Sequence, residues 1–234
     1  MKHGVPQGFI LEPLLFLVYI NDLPLQINSF AEPVLFADDT SVIVSNRNLI
    51  DFSASANLVL ARLIEWFSAN MLVSNLEKTN IMEFITINLS YCALTIGHKE
   101  KYIDAAVHLR FLGIQIGSHL NWKNHVDQII PKLSASCYTV RQMFYICNND
   151  TLTSMYFAYF HSIVLSYGII FWGNSSNSRK IFTLQKRIIR IMVGAHPRTS
   201  CRTLFKRLEI LEVPSQYMYS LTSFWYWKSG KISD

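Results

Sequence analysis

The sequence has few cysteines and no long apolar run. Its cysteines lie at least ten positions apart: Cys92, Cys137, Cys147 and Cys201. This spacing excludes paired zinc-ligand motifs and a dense disulfide framework, so we expect reduced thiols in an intracellular protein, nuclear or cytoplasmic. The richest apolar run, 9–20, is about half as long as a bilayer-spanning helix and contains Glu12 and Pro13. We therefore expect no membrane segment.

Acidic residues are missing from one stretch of the chain. Between Arg179 and Arg207 the sequence contains nine Lys or Arg and no Asp or Glu, whereas the whole chain has a formal net charge of +5. Such a local excess of positive charge is typical of a surface that contacts nucleic-acid phosphates. A solvated helix face would give the same pattern, and charge alone leaves both interpretations open.

Charged residues are also scarce relative to the size of the protein. Half of the 234 residues are hydrophobic and the mean hydropathy is +0.21, which is apolar for a basic chain of this length. The length allows one core, with or without a helical appendage. The apolar excess indicates either a surface that faces a missing part of a larger protein or simply a well-buried core.

The periodicity of apolar residues changes near residue 120. Before it, a loop at 4–8 leads into a helix over roughly 11–21 that is apolar all round, which predicts full burial. The elements expected further on are an amphipathic helix ending near residue 70, strands around 80–86, 92–96 and 109–116, and helices at about 122–146, 150–168 and 179–193. We therefore predict an α+β fold with domains 1–120 and 121–234.

Two adjacent acids, Asp38 and Asp39, lie between short apolar segments at 33–37 and 41–44 that predict a β-hairpin. Neighbouring carboxylates between apolar strands repel each other, and a divalent metal that takes oxygen ligands, such as Mg²⁺, removes the conflict. However, Asp-Asp is also ordinary turn chemistry. Taken by itself, the dipeptide favours a plain turn.

The surrounding blocks change that balance. In order and spacing they resemble the palm of reverse transcriptases from non-LTR retrotransposons, the jockey-like group especially. The blocks are Gly4-Val-Pro-Gln-Gly8, Leu14-Leu-Phe-Leu-Val-Tyr-Ile-Asn-Asp-Leu-Pro24 and Phe36-Ala-Asp-Asp-Thr40. Later blocks are similar to the next palm segment, the primer-grip hairpin and the helical region of that family: Asn75-Leu-Glu-Lys-Thr79, Phe111-Leu-Gly-Ile114 and Gln185-Lys-Arg187.

This resemblance implies an RNA-directed DNA polymerase that uses an RNA template, a DNA primer and deoxynucleotides. In that family two Mg²⁺ ions assist the attack of the primer 3′-hydroxyl on the nucleotide α-phosphate. By resemblance Asp38 is the principal metal ligand of this segment, Asp39 is a weaker one, and Lys78 lies near the leaving pyrophosphate. The residues that match the nucleotide and template pocket are Pro6, Gln7, Gly8, Phe36 and Ala37. The residues that match the primer grip are Phe111, Leu112 and Gly113.

One part of the family pattern is missing. The family holds its metals with a third carboxylate on a strand before the Gly4–Gly8 loop, and only Met1, Lys2 and His3 precede that loop here. We therefore expect an N-terminally truncated palm followed by a helical thumb and C-terminal region. Such a chain should bind Mg²⁺ weakly and should not polymerise DNA alone, because positioning supplies much of the catalysis of this reaction.

Two other interpretations remain. The chain could be a non-catalytic nucleic-acid-binding remnant that contacts phosphates through 179–207, with Lys186, Arg187 and Arg190 as the contact residues. It could also be a reading frame without a stable product. The aromatic cluster at 224–227 either stacks on bases or belongs to the core of an interrupted domain, and we favour the core.

Overall fold

The computed structural model describes residues 10–46, 48–84, 96–98, 101–166 and 168–230. These residues form helices and short antiparallel strands, as the predicted α+β class requires. The chain divides into two compact units, Met1–Ala106 and Val107–Asp234. The predicted pocket residues Pro6, Gln7 and Gly8 lie outside the described residues, as does Cys92. No helix in the described ranges is both long and apolar enough to cross a membrane.

The first unit combines helices with two small hairpins. Its elements in chain order are α1 (Glu12–Tyr19), α2 (Leu23–Ile27), β1 (Glu32–Phe36), β2 (Asp39–Ile43), α3 (Leu49–Ala69), β3 (Ile96–His98) and β4 (Lys101–Ile103). β1 pairs with β2 and β3 with β4, both antiparallel. Of the strand predicted at 80–86, Ile81 forms an isolated bridge with Ala105, and 85–86 lie outside the described residues. So do 92–95 of the next predicted strand.

A small core holds this unit together. Ile20, Leu23 and Trp66 are buried, and half-buried Leu35 of β1 packs against them. The indole N–H of Trp66 donates to Asp22 Oδ2 at 3.4 Å. This core therefore connects the start of α2, the hairpin β1–β2 and the C-terminal part of α3.

The prediction that the first helix is fully buried is wrong for the chain as described. α1 forms where expected, with Pro13 in its first turn, where a missing N–H costs no helical hydrogen bond. Yet no residue of α1 is buried, and Leu14 and Val18 are 58% and 69% exposed. The helix reaches the core only through half-buried Phe16 and, in the turn that follows it, through buried Ile20. A helix that is apolar on all sides normally has partners on all sides, and the described residues cover only one of them.

The second unit is mostly helical. Its elements are β5 (His108–Phe111), β6 (Ile114–Gly117), α4 (Lys123–Met143), α5 (Asn149–Met155), a π-helix (Tyr156–His161), α6 (Ser162–Ser166), α7 (Ile169–Trp172), α8 (Ser178–Met192), α9 (Arg202–Arg207) and α10 (Val213–Lys228). Its core draws on every helix from α4 to the start of α10. Cys137 and Cys201 belong to that core, and no cysteine of the described residues forms a disulfide.

The hairpin β5–β6 belongs to the second unit, since the compact units divide between Ala106 and Val107. The sequence pattern instead predicts that residues 108–117 belong to the first domain, with a border at 120. The strands themselves agree with the expected strand region 109–116, interrupted at Gly113. The border between palm and thumb at residue 120 stays a prediction.

Candidate active site and nucleic-acid interface

The hairpin β1–β2 places the two adjacent acids at its tip. Phe36 pairs with Asp39, so Ala37 and Asp38 form a two-residue turn. Ala37 has φ of +52°, a left-handed conformation that costs energy for a residue with a Cβ. Tight two-residue turns of this kind require positive φ and match the twist of the strands. Asp38 therefore lies in the turn, while Asp39 is the first residue of β2.

Strand register also determines which way Asp39 points. Residues paired across an antiparallel hairpin lie on the same face, so Asp39 shares a face with Phe36, which is 58% exposed. Leu35 and its partner Thr40 lie on the opposite face, toward the core. Both Asp38 and Asp39 are exposed. Their carboxylates are thus open to solvent and to any ion or segment that approaches the hairpin tip.

The donor chemistry at the tip fits Mg²⁺, but the number of donors does not. Carboxylate oxygens are the ligands Mg²⁺ prefers, and the ion demands near-octahedral coordination. Within the described ranges, no group of three or more His, Cys, Asp or Glu side chains could hold a metal ion. Asp22 is engaged elsewhere, as the acceptor for Trp66. Two carboxylates and water would hold the ion weakly.

Lys78 lies in a turn between α3 and Ile81. Its backbone N–H donates to the carbonyl of Asn75 at 3.1 Å and to the Asn75 side-chain oxygen at 3.2 Å. These bonds fix the backbone and leave the side chain exposed. In the part of the chain that the structure describes, no hydrogen bond or ion pair links Lys78 to Asp38 or Asp39, so its catalytic role stays a prediction.

The predicted primer grip forms the tip of β5–β6. Phe111 pairs with Ile114, and the two turn residues Leu112 and Gly113 have φ of +45° and +85°. Positive φ at both positions is what type I′ hairpin turns require. A leucine in this conformation is unusual, and its side chain is 46% exposed. The turn therefore presents an apolar side chain at the end of a short hairpin.

A buried histidine anchors this hairpin to the helices. His125 of α4, which is 1% exposed, accepts a hydrogen bond through Nδ1 from the backbone N–H of Gln115 in β6, at 3.1 Å. Its ring also packs against Trp122 and Trp172, with ring centroids 6.2 Å and 6.5 Å away. Nothing in the sequence around His125 indicated this contact, because a single histidine near the start of a helix carries no signal of its partner.

The three predicted phosphate-contacting residues of α8 lie on two different flanks of the helix. Lys186 places its ammonium 3.9 Å above the ring of Phe182, which stacks on Phe205 of α9. Arg190, one turn further along the same flank, donates from Nε to the carbonyl of Thr199 at 2.8 Å. These two cations therefore belong to the side of α8 that faces α9, and each already has a partner within the protein.

Arg187 lies on the other flank of α8, which faces α4. At helical spacing it shares this flank with Lys180 and Leu184. Lys180 is ion-paired with Asp127 of α4 at 2.9 Å, and the thiol of Cys137 contacts the carbonyl of Leu184 with 3.8 Å between Sγ and O. Arg187 is exposed. It is the member of the predicted trio that can most easily contact a ligand together with residues of α4.

The aromatic cluster near the end of the chain lies on the last turns of α10. Only the beginning of this helix is anchored, through buried Val213 and Gln216. The members of the cluster are 45%, 56%, 44% and 71% exposed: Phe224, Trp225, Tyr226 and Trp227. They are not buried among the described residues, and the interpretation that they belong to the core of an interrupted domain stays a prediction.

Comparison with known proteins found similarity to one family. Residues 1–116 match the family model described as reverse transcriptase (RNA-dependent DNA polymerase). The chain is 27% identical over 231 residues to the probable RNA-directed DNA polymerase from transposon BS of Drosophila melanogaster, covering 92% of this chain and 25% of that protein. It is 24% identical over 209 residues to the RNA-directed DNA polymerase from mobile element jockey of the same organism, covering 82% and 22%.

A third relative is the probable RNA-directed DNA polymerase from transposon X-element of Drosophila melanogaster, 24% identical over 90% of this chain and 24% of that protein. The chain thus spans about a quarter of the length of the curated relatives that it matches. No solved structure matches it. The matched segment 1–116 contains the hairpin with Asp38 and Asp39 and, except for Gly117, the hairpin β5–β6.

Proposed function

Because the chain belongs to the reverse transcriptase family, of the jockey-like non-LTR type, we propose that it is part of an RNA-directed DNA polymerase that transfers deoxynucleotides to a DNA primer on an RNA template. The observation that supports this most strongly is the pair Asp38 and Asp39, exposed at the tip of a hairpin inside the matched segment. Two neighbouring acids also occur in plain turns, but inside a segment that matches a polymerase family they fit a metal-dependent site.

In this proposal each residue of the hairpin tip has a separate task. Asp38 in the turn is the principal ligand of the metal, and Asp39 orients it or binds a second ion. When bound, Mg²⁺ activates the primer hydroxyl and stabilises the charge that develops on the phosphates. Phe36 and Ala37 lie beside the acids and line the place of the template and nucleotide. Lys78 supplies positive charge near the leaving pyrophosphate.

We also propose that the chain alone does not polymerise DNA. The described residues contribute two neighbouring carboxylates and no cluster of three metal-binding side chains, and two carboxylates neither hold nor orient Mg²⁺ well. A third carboxylate would come from another segment of a longer polymerase, such as the relatives of which this chain covers about a quarter. The exposed apolar surface of α1 is consistent with a further segment packing there.

A hybrid polymerase tests this proposal. The chain replaces its matching segment in the polymerase of mobile element jockey, and extension of a DNA primer on RNA is measured with and without Mg²⁺. We expect no extension by the chain alone, Mg²⁺-dependent extension by the hybrid, and a loss on the order of 100-fold or more with Asp38→Asn. Glu32→Gln is the matched control, since it removes an exposed acid from the other end of the same hairpin.

Three results would contradict the proposal. The chain alone could extend the primer, which would show that its site is complete. The hybrid with Asp38→Asn could extend as well as the unsubstituted hybrid. Finally, the hybrid could fail under conditions in which the jockey polymerase itself is active, which would show that the chain does not supply the function of the segment it replaces.

A second candidate function is nucleic-acid binding without catalysis. It is favoured by the excess of cations between Arg179 and Arg207, of which Arg187 is exposed on α8. Binding through phosphates weakens steeply as salt concentration rises, because counterions are released. The chain should therefore bind RNA with a strong salt dependence, and neutralising the cations of 179–207 should weaken it. Unchanged affinity after that neutralisation would exclude this segment as the binding surface.

A further inference from the structure

The positive charge of the second unit extends well beyond the basic segment 179–207. Between positions 128 and 208 the sequence contains eleven Lys or Arg but a single acid, Asp150. Two of these cations precede the segment, and one of them is Arg141, near the C-terminal end of α4. The sequence pattern indicated no role for Arg141, because one arginine in a long helix carries no signal by itself.

One flank of α4 lies next to the flank of α8 that carries Lys180. Asp127, Tyr138 and Arg141 are separated by eleven and then three residues, which places them on one flank of a helix with 3.6 residues per turn. The ion pair between Asp127 and Lys180 shows that this flank lies next to α8. Tyr138 is 64% exposed and Arg141 is exposed as well.

The facing flank of α8 presents Arg187. Lys180, Leu184 and Arg187 follow one another at intervals of four and three residues. Buried Cys137 lies beneath them, with its Sγ 3.8 Å from the carbonyl oxygen of Leu184. Burial raises the pKa of the Cys137 thiol to about 11, and the positive charges of Arg187 and then Arg141 oppose that rise. The thiol is therefore influenced by one arginine from each helix, Arg141 of α4 and Arg187 of α8.

We propose that this α4–α8 seam, rimmed by Tyr138, Arg141 and Arg187, binds a single strand of nucleic acid. The two guanidinium groups contact phosphates, and the ring of Tyr138 stacks on a base. An exposed ring beside cations is the arrangement by which proteins hold single strands without reading their sequence. A paired and stacked base has no free face for the ring, so a duplex would gain only the phosphate contacts. Asp127 does not oppose binding, since Lys180 neutralises it.

The inference rests on the proposed function, which identifies nucleic acid as the ligand. It adds the place where the nucleic acid binds and the preference for a single strand. It predicts that residues on the α9 side contribute less. Lys186 lies over Phe182 and Arg190 is bonded to Thr199, so a phosphate would compete with an existing interaction at each. Arg141 and Arg187 have no hydrogen bond or ion pair of this kind among the described residues.

Fluorescence polarisation with a labelled 20-nucleotide polyuridine RNA tests the seam. The full chain is used, and the double variant Arg141→Gln, Arg187→Gln should bind at least about 10-fold more weakly at 0.1 M salt. Its slope of log affinity against log salt should fall by about 1.4, as expected for two lost single-strand phosphate contacts. Tyr138→Ala should weaken binding by roughly 5-fold or more without changing the slope, because stacking releases no counterions, and Tyr138→Phe should retain affinity.

Matched controls lie elsewhere on the chain. Arg62→Gln removes an exposed arginine from the first unit, and Tyr219→Ala removes a tyrosine of α10 that is 63% exposed. Both should bind as the unsubstituted chain does. A blunt duplex of adenine and thymine should bind with lower affinity and without sensitivity to Tyr138→Ala. Thermal melts of each variant separate a lost contact from lost folding.

Several results would overturn the inference. They are unchanged affinity in the double variant, an unchanged salt slope, equal sensitivity of duplex and single strand to Tyr138→Ala, or equal competition by polyglutamate, which would indicate a site for any polyanion. The outcome is separable from that of the proposed function. If the hybrid polymerase extends primers while the seam variants bind RNA normally, only the proposed binding site at the seam is wrong. If the seam variants bind RNA more weakly as expected while the hybrid is inactive, the polymerase proposal is wrong and the binding site is not.

Discussion

Gln185 of α8 donates a hydrogen bond from Nε2 to the hydroxyl of Tyr156 in the π-helix at 2.8 Å, and both side chains are buried. The same nitrogen donates to the carbonyl of Leu211, and Gln185 Oε1 accepts from the backbone N–H of Val213, each at 2.8 Å. One side chain therefore joins α8 to the π-helix and to the start of α10. Buried polar groups left without partners are costly, so this amide stabilises three elements together.

Replacing this amide by a hydrocarbon should destabilise the second unit strongly. Gln185→Leu leaves the Tyr156 hydroxyl and the Val213 N–H buried without that partner and removes the bond to the Leu211 carbonyl, and we expect a loss of about 3 kcal/mol or more. Urea unfolding followed by circular dichroism measures it. Gln216→Leu is the matched control, because buried Gln216 makes one longer side-chain bond, 3.3 Å to Ser220. Equal losses in the two variants would contradict the role given to Gln185.

Stability should fall at alkaline pH. Burial raises the pKa of Tyr156 to about 12, which a hydrogen bond from Gln185 partly opposes, and burial raises that of Cys137 to about 11. The ordinary values are 10.0 and 9.0. A raised folded-state pKa means that the unfolded chain loses the proton first, so stability present below pH 9 is lost as pH rises from 9 to 12.

Urea midpoints at pH 8.5, 10 and 11 measure this decline. Tyr156→Phe should reduce the decline between pH 10 and 11, and Cys137→Ala the decline between pH 8.5 and 11, each relative to its own value at pH 8.5. If neither variant changed the slope, ionisation of these two groups would not be the cause of the decline.

The ion pair between Asp127 and Lys180 should contribute little to stability. Its side chains are 43% and 50% exposed, and exposed pairs contribute about 0.2 to 1 kcal/mol, less in high salt. A double-mutant cycle with Asp127→Asn and Lys180→Gln should give a coupling energy in that range at low ionic strength. A coupling above about 2 kcal/mol would show that the pair is more buried than described.

Polar substitutions in α1 should be tolerated. Leu14 and Val18 are 58% and 69% exposed, so Leu14→Gln with Val18→Gln should change the free energy of unfolding by about 0.5 kcal/mol or less. The double variant should also be more soluble, because it interrupts an exposed apolar surface. Static light scattering and urea unfolding measure the two effects. A loss above about 2 kcal/mol would restore the sequence-based prediction that this helix is buried.

Local patterns in the sequence predicted where helices and strands form better than they predicted what packs against them. The hairpin around Asp38 and the helix now described as α8 follow from apolar periodicity and turn chemistry, both of which act over a few residues. The burial of α1 did not follow, because burial depends on what packs against a helix. A helix that is apolar on all sides indicates partners in the complete protein, and among the described residues only Phe16 and the following Ile20 contact a core.

The same limit applies to the candidate sites. Resemblance identified Asp38 and Asp39 because the residues around them occur in a fixed order, and the structure then placed them at the hairpin tip. For α8 the charge pattern grouped Lys186, Arg187 and Arg190, although a helix turns 100° per residue and separates neighbours onto different flanks. Only the packing of α4 and α9 shows which flank each cation occupies, and it places Arg141 and Arg187 where both charges act on the Cys137 thiol.

Metal binding at the hairpin tip tests the central claim most directly. Mn²⁺, added in place of Mg²⁺ to the isotopically labelled chain, broadens the amide signals of residues near the ion. We predict that the signals of 36–40 broaden first, at millimolar Mn²⁺, that Asp38→Asn with Asp39→Asn removes this broadening, and that Glu32→Gln leaves it unchanged. Broadening that begins elsewhere, for example around Asp150, or that persists in the double variant, would contradict the account.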